Sequence, residues 1–415
     1  MYDFMEMGFM DDSPPANHLS GSYLPEAADC MRCGLCVGGC PTYQLFQSQA
    51  ETPRSRVRTL SKILLENQAI SENERLHLDN CLQCRACEPV CPSKMAYGTL
   101  FDQAQAQLAK KTNRLAKLAL ALVANKAWRT RLLPGLALLV KSGLVTVLRH
   151  SGLLQALHLN EAAALLRMPA LKPLAAHYPS TRKKCGQVAL FTGCVNEHFD
   201  RDTLQAAITL LNAIGYDVLI PSAQGCCGAI HQHNGFGAAT LIDNNIAVFN
   251  ALDVDAVVHC ATGCGAMLSE YQTDNTEASK LFKERLHDIH KFLLAYWPED
   301  LQLQALPEKI AVHEPCSQRN VLKNQQAVYG LLAKIPAASL TALPDNALCC
   351  GAGGSYLLTH PDNARQLRDL KQQALKTAAA DWVVSGNFVC AAFLNADKGD
   401  IVHPLHILAR QLPTQ

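Results

Sequence analysis

Cys30-Met31-Arg32-Cys33-Gly34-Leu35-Cys36-Val37-Gly38-Gly39-Cys40-Pro41 is answered, at an offset of 51, by Cys81-Leu82-Gln83-Cys84-Arg85-Ala86-Cys87-Glu88-Pro89-Val90-Cys91-Pro92. Both stretches read C-x2-C-x2-C-x3-C-P. Three thiolates on one tight loop can face one metal centre. The fourth, set after a turn, cannot reach back to it. Two complete copies therefore form two four-cysteine sets by exchanging the fourth member: Cys30, Cys33, Cys36 and Cys91 in one, Cys81, Cys84, Cys87 and Cys40 in the other. Pro41 and Pro92 turn the chain away from each set. Gly34 lets the backbone come close to the bound centre, at a position where the second copy carries Arg85.

This is the spacing of bacterial two-cluster ferredoxins, so each set is read as the ligands of one [4Fe–4S] cluster. Zinc also binds paired C-x2-C motifs, but it would leave the regular third and fourth cysteines without a purpose. Clusters of this type pass single electrons and keep no open coordination position, which makes residues 30–102 a relay. The insert at residues 42–80 is longer than in a small ferredoxin and reads as helical near Arg56–Leu65. Arg54, Arg56 and Arg58 there either dock an acidic partner, raise a cluster potential, or form a solvated helix start.

The chain holds 18 cysteines in 415 residues with 49% apolar and 18% charged content, so it is globular and not disordered. That cysteine content in so long a chain points to a reducing compartment and to thiols that hold metal. A net charge of +1 argues against a nucleic-acid binder. The charge is uneven. Residues 1–29, an acidic tail without the basic start of a secretory signal, hold six acids and no Lys or Arg. Residues 103–184, a basic apolar helical connector, hold fourteen Lys/Arg and one acid, Glu161. Leu108, Leu115, Leu118 and Leu122 fall on one helical face there, with Lys110, Arg114 and Lys117 turned away from it. The apolar run Leu132–Leu148 is broken by Pro134, Gly135, Lys141 and Gly143 and is shorter than a spanning helix. The connector is therefore either an interfacial segment drawn to anionic lipid or a solvated basic face, with His177–Lys184 reading as a loop.

Beyond residue 184, strands and helices alternate, and the pattern occurs twice. Gln187–Phe191, Asp217–Ile220 and Ala256–His259 read as strands around helices at Thr203–Ile214 and Gly235–Leu252. Ile310–His313, Ser339–Leu343 and Trp382–Ser385 read as strands around Gln326–Ala333 and Asp362–Ala380. The cysteines repeat with them: Cys194 matches Cys316, Cys226-Cys227-Gly228-Ala229 matches Cys349-Cys350-Gly351-Ala352, and Cys264 matches Cys390. Adjacent cysteines rarely form a disulfide with each other but can both ligate one metal centre. Cysteines at the carboxyl ends of parallel strands converge on one crevice. A possible third site is thus Cys194, Cys226, Cys227, Cys260 and Cys264, and a possible fourth is Cys316, Cys349, Cys350 and Cys390. Buried structural thiols are the alternative. His231, His233, His259 and His313 lie near these cysteines and read as packing or surface residues. No G-x-G-x-x-G follows a strand and there is no Walker A run.

At these residues, from Cys30 to about Leu412, the chain resembles the iron–sulfur subunit family of bacterial glycolate oxidase. The supporting strings are Thr52-Pro53-Arg54, Phe191-Thr192-Gly193-Cys194, Gly225-Cys226-Cys227-Gly228-Ala229, Thr262-Gly263-Cys264-Gly265, His313-Glu314-Pro315-Cys316-Ser317 and Leu348-Cys349-Cys350-Gly351. The resemblance implies a bacterial two-cluster ferredoxin-like helical domain (30–102), the helical connector (103–184), and a tandem pair of α/β "CCG" domains with parallel sheets (185–305 and 306–415), an α+β and α/β plan overall. It implies two [4Fe–4S] clusters, a further cluster in a CCG domain as a possibility, and no catalytic residue in this chain. FAD would sit on a partner oxidase subunit that oxidises glycolate to glyoxylate. Electrons would leave toward the membrane quinone pool, from a cytoplasmic protein peripheral on the inner face of the membrane. The same plan is similar to iron–sulfur subunits of D-lactate and glycerol-3-phosphate dehydrogenases, and to heterodisulfide reductases, whose CCG cluster performs thiol/disulfide chemistry. This chain departs from the last pattern at Asn387, where the penultimate cysteine would stand, and at Cys260, one residue too early. A metal-free docking adaptor is a third reading.

Overall fold

The computed structural model describes residues 30–108, 121, 124–156, 163, 168–395 and 400–413. The acidic tail, Leu115, Leu118 and Leu122, and Lys110, Arg114 and Lys117 lie outside the described residues.

The first unit is helical. Thr52 caps the helix Pro53–Leu64 by accepting from the Ser55 N–H, and Pro53 occupies the first turn, where its missing N–H costs nothing. Ser71 and Glu74 form a capping box that starts Glu72–Asp79. These helices and Tyr97–Gln107 bury Val57, Leu60, Leu78, Leu100, Phe101 and Ala104 against one another. The two cysteine loops sit on this small core, with Cys30, Cys81, Cys87 and Cys91 at its edge. Matched positions of the loops share the left-handed conformation: Arg32 with Gln83 (φ 51° and 52°), and Gly34 with Arg85 (φ 81° and 56°). Such alternation turns successive N–H groups into one concavity that suits an anion. Arg85 holds this conformation, natural to glycine, with its guanidinium paired to Glu88 and Glu270.

Two parallel sheets follow. The strands are β1 (His177–Tyr178), β2 (Gly186–Phe191), β3 (Tyr216–Leu219), β4 (Ala256–His259), β5 (Leu286–Asp288), β6 (Lys309–His313), β7 (Ser339–Ala342), β8 (Trp382–Ser385) and β9 (Ile401–Val402). The first sheet runs β1-β3-β2-β4-β5 and the second β7-β6-β8-β9. Without β1, an antiparallel edge on β3, the two orders are the same, as a sequence repeat demands. Val188 pairs with Val218 on one side and Ala256 on the other; Ile310 pairs with Leu340 and Trp382. The central strands are buried on both faces, which explains their unbroken apolar runs. Both copies share one core: Val188, Leu190 and Val258 of the first meet Ile310, Val312 and Val384 of the second through Ile289–Tyr296, Gln325–Leu332 and Pro404–Arg410.

Several elements differ from the sequence reading. His177–Lys184 is not all loop, because His177 and Tyr178 pair with Leu219 and Val218. The helix expected from Gly235 starts at Ala239, after a separate turn at Ala229–His233 that follows the Cys-Cys-Gly bend. β5 and β9, of three and two residues, are too short to give a hydrophobic period.

Candidate functional site

The strand ends decide where the sulfurs go. Cys194 follows β2, Cys226 and Cys227 follow β3, and Cys264 stands in the helix Thr262–Ser269 after β4. Cys316, Cys349, Cys350 and Cys390 take the same places after β6, β7 and β8. All lie at the carboxyl side of the sheets, where the strand order reverses. In each copy a glycine in left-handed conformation (Gly228, φ 86°; Gly351, φ 90°) bends the chain after the cysteine pair. Its N–H then donates to the first sulfur of that pair, Cys226 or Cys349, at 3.5 Å in both cases. At Gly351 a Cβ would stand 2.5 Å from the Ala364 carbonyl oxygen, so the bend leaves no room for a side chain.

Within each quartet the thiols are in contact. Cys194 Sγ donates to Cys226 Sγ at 3.3 Å, and Cys350 Sγ to Cys390 Sγ at 2.9 Å. Cys226, accepting from Cys194 and Cys227, is held well below the usual thiol range; the same bonds, with burial, push Cys194 and Cys227 up. Cys349 is likewise lowered by Cys316 and Cys350, which are both raised. Each quartet thus shares its protons among sulfurs in contact, and a bound cation would displace them.

The ferredoxin-type loops close on these quartets. Cys40 is buried and lies within electrostatic reach of Cys81, Cys84 and Cys87, so the fourth cysteine of the first run stands beside the second run. Cys30 and Cys33 act on Cys36, while Cys91 flanks the same helical core as Cys30. Burial pushes the thiols of Cys84 and Cys87 well up, and the strongest charge acting on Cys84 is Cys349 of the fourth site. Asn320 donates to the Cys84 carbonyl at 2.7 Å, Gln83 to the His233 carbonyl at 2.9 Å, and Leu82 enters the core beside Cys349 and Cys350. The result is a cavity of about 510 Å³ lined by Cys81 and Cys84, by Cys194, Cys226, Cys227 and Cys264, and by Cys316, Cys349, Cys350 and Cys390.

Cys260 does not join the third site. Alternation along β4 puts Ala256, Val258 and Cys260 on one face and Val257 on the other. Cys260 therefore packs in the shared apolar core, where burial raises its thiol and Asp288 and Asp200 are the nearest charges. The third site is then four sulfurs, like the fourth. Asn387 has a different task from a ligand: its side chain accepts from the N–H groups of Val389 and Cys390, starting the helix that carries Cys390, and donates to Thr262 Oγ1 of the other copy at 3.2 Å.

Arg56 was not distinguishable from its solvated neighbours by sequence. It is 2% exposed, donates to Thr42 Oγ1 at 2.9 Å and to the His77 carbonyl at 2.7 Å, and reaches Cys40 Sγ at 3.8 Å. Glu51 pairs with it and also accepts from Asn80 and faces His77. A buried guanidinium beside Cys40 and Cys81 is a fixed positive charge at the inner thiolate set.

Three of the four histidines sort as packing residues or distant charges, while His231 acts electrostatically on Cys226. His233 pairs with Asp102, and His259 lies against Gly265. His313 is buried with Nδ1 2.9 Å from Ser385 Oγ, and burial, then Lys371 and Arg319, hold it down to about 3. A histidine held neutral stabilises the fold fully above its unfolded value near 6.5. The contribution is lost as pH falls from there toward 3, by about 1.4 kcal/mol per pH unit. Thermal melts between about pH 7.5 and 5.5 should show a shallower acid loss for His313→Gln than for the parent. Equal slopes would mean that His313 takes no part.

Two family models match the chain: the 4Fe-4S dicluster domain over residues 26–117, and the cysteine-rich domain CCG over 188–269 and again over 310–395. The chain is 32% identical over 392 residues to a probable glycolate oxidase iron-sulfur subunit of Bacillus subtilis, covering 88% of this chain and 87% of that one. It is 31% identical over 405 residues to the glycolate oxidase iron-sulfur subunit of Escherichia coli, covering 92% and 93%. Lactate utilization protein A of Geobacillus thermodenitrificans is 24% identical over 54% of this chain and 95% of its own length.

Proposed function

Starting from the chain's membership of the glycolate oxidase iron–sulfur subunit family, we propose that it carries electrons from a flavoprotein subunit that oxidises glycolate to glyoxylate, and delivers them toward membrane quinone. It is an iron–sulfur electron-transfer subunit of an oxidoreductase. The observation that carries the reading is the placement of Cys40 among Cys81, Cys84 and Cys87 next to Cys349, which joins an electron-carrying unit to the CCG cavity. [4Fe–4S] clusters, when bound, supply reversible one-electron storage. The residues that would hold them are Cys30, Cys33, Cys36 and Cys91 at the outer site, and Cys81, Cys84, Cys87 and Cys40 at the inner one. The thiols of the inner set lie within electrostatic reach of one another, and thiolate sulfur is the donor that such clusters take.

The chain's own residues then tune these sites. Tyr97 donates its hydroxyl to Cys81 Sγ at 3.5 Å, the Gln83 N–H donates to the same sulfur at 3.4 Å, and Arg56 adds its charge. Donors and a cation at the inner sulfurs favour the electron-rich state there. The outer loop has Cys33 exposed, with Met31 and Leu35 uncovered beside it. Electrons thus enter at the open site and settle inward. Cys40→Ser should alter the same EPR signal as Cys84→Ser, and Cys91→Ser the same signal as Cys33→Ser. If Cys40→Ser instead disturbed the Cys33 signal, the exchanged ligand sets would be wrong.

The connector supports delivery at a membrane surface. The helix Lys126–Lys141 buries only Leu133 and Ala137, while Leu138 and, in the next helix, Val147 are 70% and 63% exposed, with Trp128, Leu132 and Leu144 also uncovered. Lys126 and Arg129 tie it to the first CCG domain through Glu197. No helix among the described residues is long and apolar enough to cross a membrane. Uncovered apolar side chains interleaved with Lys and Arg suit the interface of an anionic bilayer. Replacing Leu138 and Val147 by Gln should weaken sedimentation with anionic vesicles several-fold with cluster content intact. Unchanged binding would remove this segment from the account.

A further inference from the structure

The two sulfur quartets are built alike but differ at one fully buried position of the helix behind each. In each copy the helix after the Cys-Cys-Gly bend packs on that bend. A Cβ on Gly228 would meet Ala238 and Leu241, and one on Gly351 would meet Ala364 and Leu367. Leu241 and Leu367 are thus equivalent, and so are the residues one turn further on, Asn245 and Lys371. Both are fully buried. Asn245 clamps its cysteine loop by neutral hydrogen bonds: Oδ1 accepts from the Gly225 N–H at 2.9 Å, and Nδ2 donates to the Cys226 carbonyl at 2.9 Å. Lys371 donates to the Asp345 backbone carbonyl at 2.7 Å. Burial holds the Lys371 ammonium below the usual lysine range, and the groups that oppose this, strongest first, are Cys350, Cys349, Cys390 and Asp345.

An ammonium without access to water is expensive unless an anion lies beside it. Here the anion is the quartet itself, once its thiols are thiolates around a metal centre. Reducing that centre by one electron requires no proton and no bond change. An added electron increases the negative charge that Lys371 already faces. The equivalent position in the first quartet is neutral; the cation that acts there, on Cys194, is Arg129 of the connector, which is paired to Glu197. The quartet that Lys371 faces is also the one that the inner ferredoxin-type site approaches, through Cys84 and Cys349.

We propose that Lys371 is a positioning charge that makes the fourth site, Cys316, Cys349, Cys350 and Cys390, the electron sink of the cavity, set above the third site in potential. The inference rests on the reading of the CCG quartets as metal centres. The donor is the flavin-bearing partner, acting through the ferredoxin-type sites, and each step moves one electron.

The test is an EPR-monitored redox titration of the anaerobically purified full chain, with iron and sulfide counted on every sample. The signal lost in Cys349→Ser marks the fourth site. Lys371→Gln should lower its midpoint potential while leaving the outer ferredoxin-type signal in place; Lys371→Arg should keep the parent value; Asn245→Lys should raise the midpoint of the signal lost in Cys226→Ser. Loss of the fourth-site metal in Lys371→Gln but not in Lys371→Arg would also support the charge. An unmoved midpoint with metal retained would overturn the role of Lys371 and leave the CCG reading standing. Loss of metal in both variants would make Lys371 a packing residue and overturn the proposal. A parent protein whose iron resides wholly in the ferredoxin-type sites would overturn the CCG reading itself.

Discussion

Burial of sulfur is the constraint on which the rest of this structure depends. Ten cysteines line one cavity, and most of their thiols are cut off from water. A buried thiolate without a counter-charge is driven to take up a proton, and Cys81, Cys84 and Cys87 are pushed that way. Such sites become electron-rich only when cations displace the protons. The fold answers by supplying cations and N–H donors at the sulfurs: Arg56 and Tyr97 at the inner loop, Gly228 and Gly351 at the two bends, Lys371 behind the fourth site.

The architecture follows from bringing three sulfur sources together. Parallel sheets present their loops on one side, so each copy gathers its cysteines from three strand ends. Sharing an apolar core turns the two crevices toward each other, and Ser317 of one copy bonds Thr262 of the other at 2.9 Å. The second ferredoxin-type loop then fills the opening, held by Asn320, by Glu270 and by the burial of Leu82. Covering the loop in this way leaves the first loop as the exposed one, with Cys33 at the surface.

Much of this is legible in the cysteine spacing. The doubled strand–helix pattern and the matched Cys-Cys-Gly bends are readable because each rests on short-range geometry repeated twice. What escaped the sequence needed tertiary context. Cys260 looked available until the alternation from Val258 placed it on the core face, a count of two that the sequence already contained. Arg56 sits between Arg54 and Arg58 in an identical-looking run, and only the packing of Glu51, His77 and Thr42 distinguishes it. Lys371 lies in a polar helix with nothing local to mark its burial; aligning it with Asn245 would have raised the question. Asn387, seen in sequence as a missing ligand, is a helix cap.

The central claim is that the cavity sulfurs hold metal in addition to the ferredoxin-type loops. Iron and acid-labile sulfide per chain, measured on anaerobically purified protein together with EPR of the reduced form, address it most directly. The account predicts clearly more than the about eight irons that two [4Fe–4S] clusters contain, with the excess lost in Cys226→Ser and Cys349→Ser. About eight irons in the parent, unchanged in both variants, would contradict it.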